Sequence, residues 1–295
     1  MHHSRGENIF NIVNITFMVL FSIICVYPFI YILAISFNDG FDAMRGGIYF
    51  FPRMFTIRNY LTVFRNDNML SATMVSVYRT VAGTILTVLG CATFAFALTK
   101  NDLPGRRWIN WLIIVPMYFG AGLIPTFMVY RGVGLVDTLL VYIIPYIYVP
   151  FRILLLRTYY NEMDIALEES AMIDGANYFT IFFRIFFPLS APALATIALL
   201  TGVHHWNDWF IGTVYVYSAD KWPLQTLLLS ILHGAEIGNQ MMEQGTYMGP
   251  VKNIQITVES IKMAMLMITV VPIVAIYPFL QRYFVSGLMI GSLKG

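Results

Sequence analysis

The side chains with the most chemical reach in this sequence interrupt long apolar stretches. His204 and His205 stand together ahead of Trp206, Asn207 and Asp208; Arg79 breaks a second apolar run; Tyr118, Tyr142 and Tyr146 place phenols in two more. Adjacent residues on a helix point about 100° apart, so the two histidines are poorly placed to hold one metal ion. They read as packing or pore-lining groups near a wet surface, and no metal site is expected. An enzyme would show a nucleophile beside a base, a metal-ligand cluster or a phosphate cradle. The sequence has no Gly-x-x-x-x-Gly-Lys-Ser/Thr loop and no His-Glu-x-x-His, so it is expected to be no enzyme and to carry no cofactor of its own. If ATP drives this protein, another chain hydrolyses it.

Elements that live in lipid have to position these groups. Of 295 residues, 58% are hydrophobic and 12% charged, with a mean hydropathy of +0.69, which leaves too little polar surface to coat soluble domains. A net charge of +2 provides no basic face for nucleic acid. Cys25 and Cys91 fall inside apolar runs and read as small buried residues. Charge-free gaps mark the crossings, because each needs about 20 apolar residues and charge is costly at depth. Five gaps are long enough: 8–38, 80–99, 108–130, 185–207 and 263–281. A sixth, 138–151, has 14 residues and reaches span length if Arg152 and Arg157 snorkel to the headgroups, extending it to Tyr159. The expected fold is an all-α membrane protein with six transmembrane helices.

An even number of crossings puts both termini on one side. The short loop from Lys100 to Arg107 carries Lys100, Arg106 and Arg107, against Arg131 alone between Arg131 and Asp137, so both termini are predicted to face the cytoplasm. Two outer segments are long. The one from Ser218 to Val258 is expected to hold a short surface helix, Leu224 to Leu232, with Leu227, Leu228 and Leu232 exposed, then a polar protruding loop, Glu236 to Thr246. The tail from Ser286 to Gly295 holds Leu288, Met289, Ile290 and Leu293, and such a tail wants a surface.

The connection from Tyr160 to Pro188 carries the most information. Asn161 can cap a helix through Ile165, Ala166, Leu167, Glu168, Glu169, Ser170, Ala171 and Met172; Gly175 suits the left-handed residue past its end; Asn177 can start a second helix that runs to Pro188. On spacing alone this is either a hairpin that merely joins two spans or an acidic knob projecting toward a partner. The residues also resemble a known signature. Glu169, Ser170, Ala171, three residues, Gly175, nine residues, then Ile185, Phe186, Phe187 and Pro188 are similar to the EAA motif of ABC importer permeases, with Ser170 in place of an alanine and Phe187 in place of a leucine. Asp174-Gly175-Ala176, Trp206-Asn207, Lys221-Trp222-Pro223-Leu224 and Tyr277 to Phe284 resemble the carbohydrate branch, specifically the second permease subunit of maltose-type importers.

The resemblance implies a type I importer permease fold in a bacterial or archaeal plasma membrane. Residues 1–68 would be an anchor helix and first outer loop, and 69–295 the permease domain with a coupling helix within 161–188. It implies a second permease subunit, two ATP-binding subunits and an extracytoplasmic solute-binding protein as partners, with the outer loop docking on the binding protein and the C-terminal tail on the ATP-binding subunits. It assigns coupling to Glu169, Ala171 and Gly175, with Asp174 and Met172 beside them. A secondary sugar transporter is the rival, although no inverted repeat or ion site is visible.

A pyranose has an apolar face and many hydroxyls, so a sugar path should mix aromatic platforms with hydrogen-bonding groups. Tyr118, Tyr142 and Tyr146, with His205, Trp206, Asn207 and Asp208, are the candidates; Tyr142 and Tyr146 are expected one helical turn apart. Aromatic residues also gather at membrane interfaces, which is the competing explanation. Arg79, about ten residues into its span, needs a partner, and Asp208 or Glu259 is available. Either it forms an interhelical salt bridge or its charge lines the sugar path. Gly83 and Gly90 are expected to allow close helix packing.

Overall fold

The computed structural model describes residues 5–243, 259–276 and 278. Among them every regular element is helical, and one isolated antiparallel bridge joins Asn38 and Phe55. The chain divides into two compact units, residues 1–67 with 228–271 and residues 68–227 with 272–295. The predicted tail contact at 286–295, most of the Tyr277 to Phe284 motif and the loop tip at 244–258 lie outside the described residues.

In the first unit, α1 (Arg5–Ser36) is apolar on every face, and Ile9, Phe17, Phe21 and Ile24 are all more than half exposed. A helix apolar all round and uncovered by protein suits lipid. Protein partners come toward its C-terminal end, where Tyr27 meets Phe50 at a ring-centroid distance of 5.6 Å and Ala34 and Ile35 meet Ile48. The segment that follows, with α2 (Gly40–Ala43) and α3 (Arg58–Phe64), is pinned by buried polar groups. The Asp42 carboxylate accepts from Arg53 Nε at 2.9 and 3.1 Å and from Asn38 Nδ2 at 3.1 Å, and these contacts hold its carboxyl below the usual range. Asn59 Nδ2 donates to the carbonyls of Ser36 and Asn38, both at 2.9 Å.

The second unit is built around α4 (Asn68–Thr99), followed by α5 (Arg106–Tyr118), α6 (Leu123–Gly132), α7 (Pro150–Asn161), α8 (Ala166–Ile173), α9 (Tyr178–Ile181), α10 (Phe187–Leu189), α11 (Ala191–Asn207) and α12 (Phe210–Tyr215). Cys91, Ala92, Ala95 and Phe96 of α4 form one core with Ile153 and Leu156 of α7 and Leu194 and Ile197 of α11. Small residues set how close these helices come. A Cβ added at Gly90 would lie 2.8 Å from the Ile147 carbonyl oxygen, and one at Gly83 would lie 2.5 Å from His205 Nε2. Both glycines therefore do the packing job expected of them.

Among the described residues, three helices are long and apolar enough to cross a membrane: residues 6–36, 68–99 and α14 (Glu259–Ile276); the count is five if two bent pairs are each one span. The predicted third crossing, 108–130, is α5 and α6 separated at residues 119–122, where Gly120 and Gly122 fall and Gly122 takes φ +83°. The fourth is two short 3-10 turns, 139–142 and 144–146, bent by 41° into α7. The fifth does not run straight from Ile185. A π-helical stretch, 182–186, and α10 bend by 79° into α11, which starts at Ala191; Pro188 and Pro192 each remove a backbone donor around that corner. The short helix expected at Leu224–Leu232 is instead α13 (Leu224–Glu243), continuous through much of the predicted loop. Leu227 and Leu228, expected to be exposed, are buried.

Candidate functional site

Residues 161–188 fold as the capped knob their sequence implies, with one shift of register. Asn161 closes α7 and caps nothing; Asp164 Oδ1 accepts the Ala166 N–H at 3.0 Å and starts α8. At the other end Gly175 takes φ +83°. The Ala176 N–H reaches back to the Ala171 carbonyl at 2.9 Å and the Gly175 N–H to Met172 at 3.0 Å, which is the paired closure of a Schellman motif. Ala171 and Ala176, the apolar partners of that closure, rest against the α4–α7–α11 core. A Cβ at Gly175 would meet nothing within 4 Å, so its glycine answers a backbone requirement and not a shortage of space. Asn177 Oδ1 accepts the Thr180 N–H at 2.9 Å and caps α9. Glu169, Met172 and Asp174 face outward, as do Ile165 and Ile173, the latter 86% exposed.

This knob is tied to α4 by a lysine. Lys100, at the end of α4, forms an ion pair with Glu168, with only 12% and 15% of the two side chains exposed. Its ammonium also lies 4.1 Å from the Phe96 ring centroid, 5.2 Å from Phe186 and 5.4 Å from Tyr178. Phe96 continues into an aromatic cluster with Phe182, Phe186 and Tyr160 at centroid distances of 5.3, 4.9 and 6.3 Å. The lysine thus links α8 to the end of α4 and, through Phe96, to Tyr160 of α7 and to the π-helical stretch.

At the opposite end of α4 the intramembrane polar residues sort into two groups. Arg79 is 1% exposed. Its Nη1 lies 3.3 Å from Asp208 Oδ2, its Nη2 donates to the carbonyls of Trp206 (3.3 Å) and Asp208, and its guanidinium stands 5.3 Å from the Tyr142 ring centroid. Tyr142 is buried, with its hydroxyl donating to the Lys221 carbonyl at 3.0 Å. His205 is buried against Gly83. Tyr142 and Tyr146 are not one α-turn apart; they fall in the two successive 3-10 turns, because Pro145 between them has no N–H to continue a helix. Tyr146, half-buried, meets the exposed His204 at a centroid distance of 4.9 Å and His205 at 5.4 Å. Asn207 is exposed and Trp206 half-buried. Tyr118, 78% exposed at the end of α5, shares no ring contact or hydrogen bond with this group.

No family model matches the chain. Similar proteins are nonetheless found over its whole length. The polygalacturonan/rhamnogalacturonan transport system permease protein YtcP of Bacillus subtilis (strain 168) is 34% identical over 290 residues, 98% of this chain and 99% of its own. Protein LplC of the same organism is 35% identical over 295 residues, 100% and 98% of the two chains. The chain belongs to the permeases of ABC sugar importers. A chain from the crystal structure of a bacterial ABC transporter involved in the import of the acidic polysaccharide alginate superposes with a TM-score of 0.84 at 29% identity, covering 96% of this permease and 99% of that chain. A chain of the alginate transporter in complex with its pentasaccharide-bound periplasmic protein gives 0.59 at 16% identity and shares the fold. The permease is therefore a membrane component of a multi-subunit sugar transport system and not an enzyme, and the secondary-transporter reading falls.

Two groups in the permease escaped the sequence reading. The charge pattern gives Lys100 only a topological role, yet its place four residues after Phe96 at a helix end sets its ammonium over that ring. Asp137 was read only as the end of a loop. It takes φ +58°, and its carboxylate accepts from the N–H groups of Tyr217 (3.1 Å) and Ser218 (3.0 Å) and from the Ser218 hydroxyl (2.7 Å), with Lys221 Nζ at 3.3 Å. The Ser218 bonds, helped by Lys221, hold its carboxyl down to about 2. The Lys221-Trp222-Pro223-Leu224 motif builds this corner: Trp222 Nε1 donates to Val216 and the Leu224 N–H to Ser76 Oγ.

Proposed function

We propose that this permease, with a second permease subunit, forms the path for an acidic, uronate-containing oligosaccharide, and that ATP bound and hydrolysed by partner subunits drives it through the knob at 161–188. Both termini and the knob face the cytoplasm, and an extracytoplasmic binding protein delivers the sugar. The observation that carries the coupling role is the knob itself. A short helix fixed at both ends by its own backbone, with Ile165 and Ile173 uncovered at its tips and Glu168 anchored to α4, is built to be gripped by another protein and to move helices when it is. Glu169, Met172 and Asp174 offer the contact face, while Ala171 and Gly175 hold its shape. Arg79, whose two terminal nitrogens are held by Asp208 and two carbonyls while its Nε has no partner, serves as the interhelical bridge and not as a free charge for sugar. The acidic class is supported by the pectic polymers in the name of YtcP and by the alginate importer.

The test is reconstitution of the complete transporter in proteoliposomes. ATP-dependent accumulation of trigalacturonate, stimulated by the loaded binding protein, is expected. Accumulation of neutral oligosaccharides alone would remove the acidic class, and accumulation without ATPase subunits would remove the coupling role.

A further inference from the structure

The start of α5 and the end of α7 bring two arginines together with no acid between them. Ile113 of α5 shares a core with Ile153 and Leu156 of α7, and Asn110, one turn before Ile113, accepts from Arg157 Nη1 at 2.9 Å. The two helices therefore run past each other in opposite directions. Arg106, the first residue of α5, lies one turn from Asn110 on the same face, where side chains four apart are neighbours. The Asn110 bond thus holds Arg157 over the turn that carries Arg106, and the two charges act on each other.

Both guanidiniums are poorly matched. Each bonds one uncharged amide oxygen, Arg157 that of Asn110 and Arg106 that of Asn101. The Nε atoms of both are buried without a hydrogen-bond partner. Among the described residues no carboxylate pairs with either, and the acid nearest to Arg106 in sequence, Asp102, accepts from the Tyr178 hydroxyl at 3.4 Å. The helix end adds to the positive field, because Gly105 gives α5 no side-chain cap and its first turn holds no acidic residue. An anion with several oxygens would satisfy all of these groups at once, and the arginine fork is matched to phosphate.

The surroundings say which phosphate. Arg157 stands about 6 Å by helical rise from the end of α7 at Asn161, which is headgroup level. Trp108 and Trp111, on the same turns of α5 as Arg106 and Asn110, are 75% and 55% exposed, and tryptophan settles where headgroups meet acyl chains. A free phosphate ion has no use for those rings, whereas a lipid carries a phosphate and an apolar body together. We infer that Arg106 and Arg157, aligned by Asn110, bind the headgroup phosphate of an anionic phospholipid, with Trp108 and Trp111 against its glycerol and acyl portion. Basic pockets between membrane helices recognise acidic lipids in this way.

The experiment delipidates the complete transporter in detergent, titrates it with dioleoylphosphatidylglycerol and counts bound lipid by native mass spectrometry. Arg106→Gln/Arg157→Gln should bind the lipid about tenfold or more weakly than wild type, as loss of charge-assisted bonds does. Arg107→Gln, which removes an exposed charge from the adjacent residue, should change binding by about twofold or less. Equal losses in the two variants would mean diffuse attraction and would overturn the site. So would wild type that retains dioleoylphosphatidylcholine as well as the acidic lipid, a result that needs no variant to fold. Displacement of the lipid by inorganic phosphate, but not by chloride at equal ionic strength, would transfer the site to free phosphate. Loss of the ATPase subunits from the double variant with lipid binding unchanged would assign the arginines to a carboxylate on those subunits and refute the lipid reading.

Discussion

The knob's hinge on Gly175 can be tested by ranking substitutions. Its φ of +83° is left-handed, and a Cβ there would touch nothing within 4 Å, so any penalty comes from the backbone alone. An L-residue in that conformation costs about 1–2 kcal/mol, asparagine less than most, and a β-branched residue more. A penalty of 1–2 kcal/mol lowers the ratio of capped to uncapped knob by about 5–30-fold. The two bonds of the closure, Ala176 to Ala171 and Gly175 to Met172, would open together and let Ala171 and Ala176 leave the core. Uptake per ATP hydrolysed, with the loaded binding protein present, should therefore fall in the order Gly, Asn, Ala, Val, while basal hydrolysis and assembly of the complex are spared. The order separates backbone from size, since asparagine is larger than alanine yet should be milder. Normal coupling in Gly175→Val, or a ranking that follows side-chain volume, would refute the reasoning.

Four other outcomes are expected. Asp208→Ala leaves the Arg79 guanidinium buried without its carboxylate and should cost about 3–5 kcal/mol in thermal unfolding of the purified complex; a change within experimental error would contradict the bridge. Lys100→Glu and Glu168→Lys should each lower sugar-stimulated ATPase activity, and the double exchange should recover part of it, with a coupling energy of about 0.5–3 kcal/mol; strictly additive effects would mean the pair transmits nothing. Gly90→Ala meets the Ile147 carbonyl, which cannot step aside, and should lower stability by about 1–3 kcal/mol, whereas Gly134→Ala meets no atom and pays only for its own φ of +71°. Asp137 titrates at about 2 when folded, below its ordinary value near 3.8, so its contribution is present above the ordinary value and is lost as pH falls from about 4 toward 2; Asp137→Asn should flatten the acid side of the unfolding profile over that window, and an unchanged slope would show that the corner does not depend on the carboxylate.

The shape of the 161–188 knob was legible because it is local. The four-residue interval from Ala171 to Gly175 is the interval between the carbonyl and the left-handed residue of a Schellman closure, and Asn177 is the cap that the next helix needs, so spacing, side-chain size and glycine all point to one shape. The starting cap was misplaced by three residues because Asn161 and Asp164 are equally good capping types, and only the length of α7 decides between them. Charge gaps found the apolar stretches but not their bends. Pro145, Pro188, Pro192 and the glycines at 120 and 122 lie inside runs that hydropathy treats as continuous, and each breaks a helix without adding a charge.

What remained hidden is pairing between distant segments. Arg79 lies inside an apolar run and Arg152 at the end of one, and neither position names its partner. Their difference is set by residues far away in the chain: α11 ends at Asn207 and turns so that the carbonyls of Trp206 and Asp208 and the Asp208 carboxylate converge on Arg79, while α7 brings no carboxylate to Arg152.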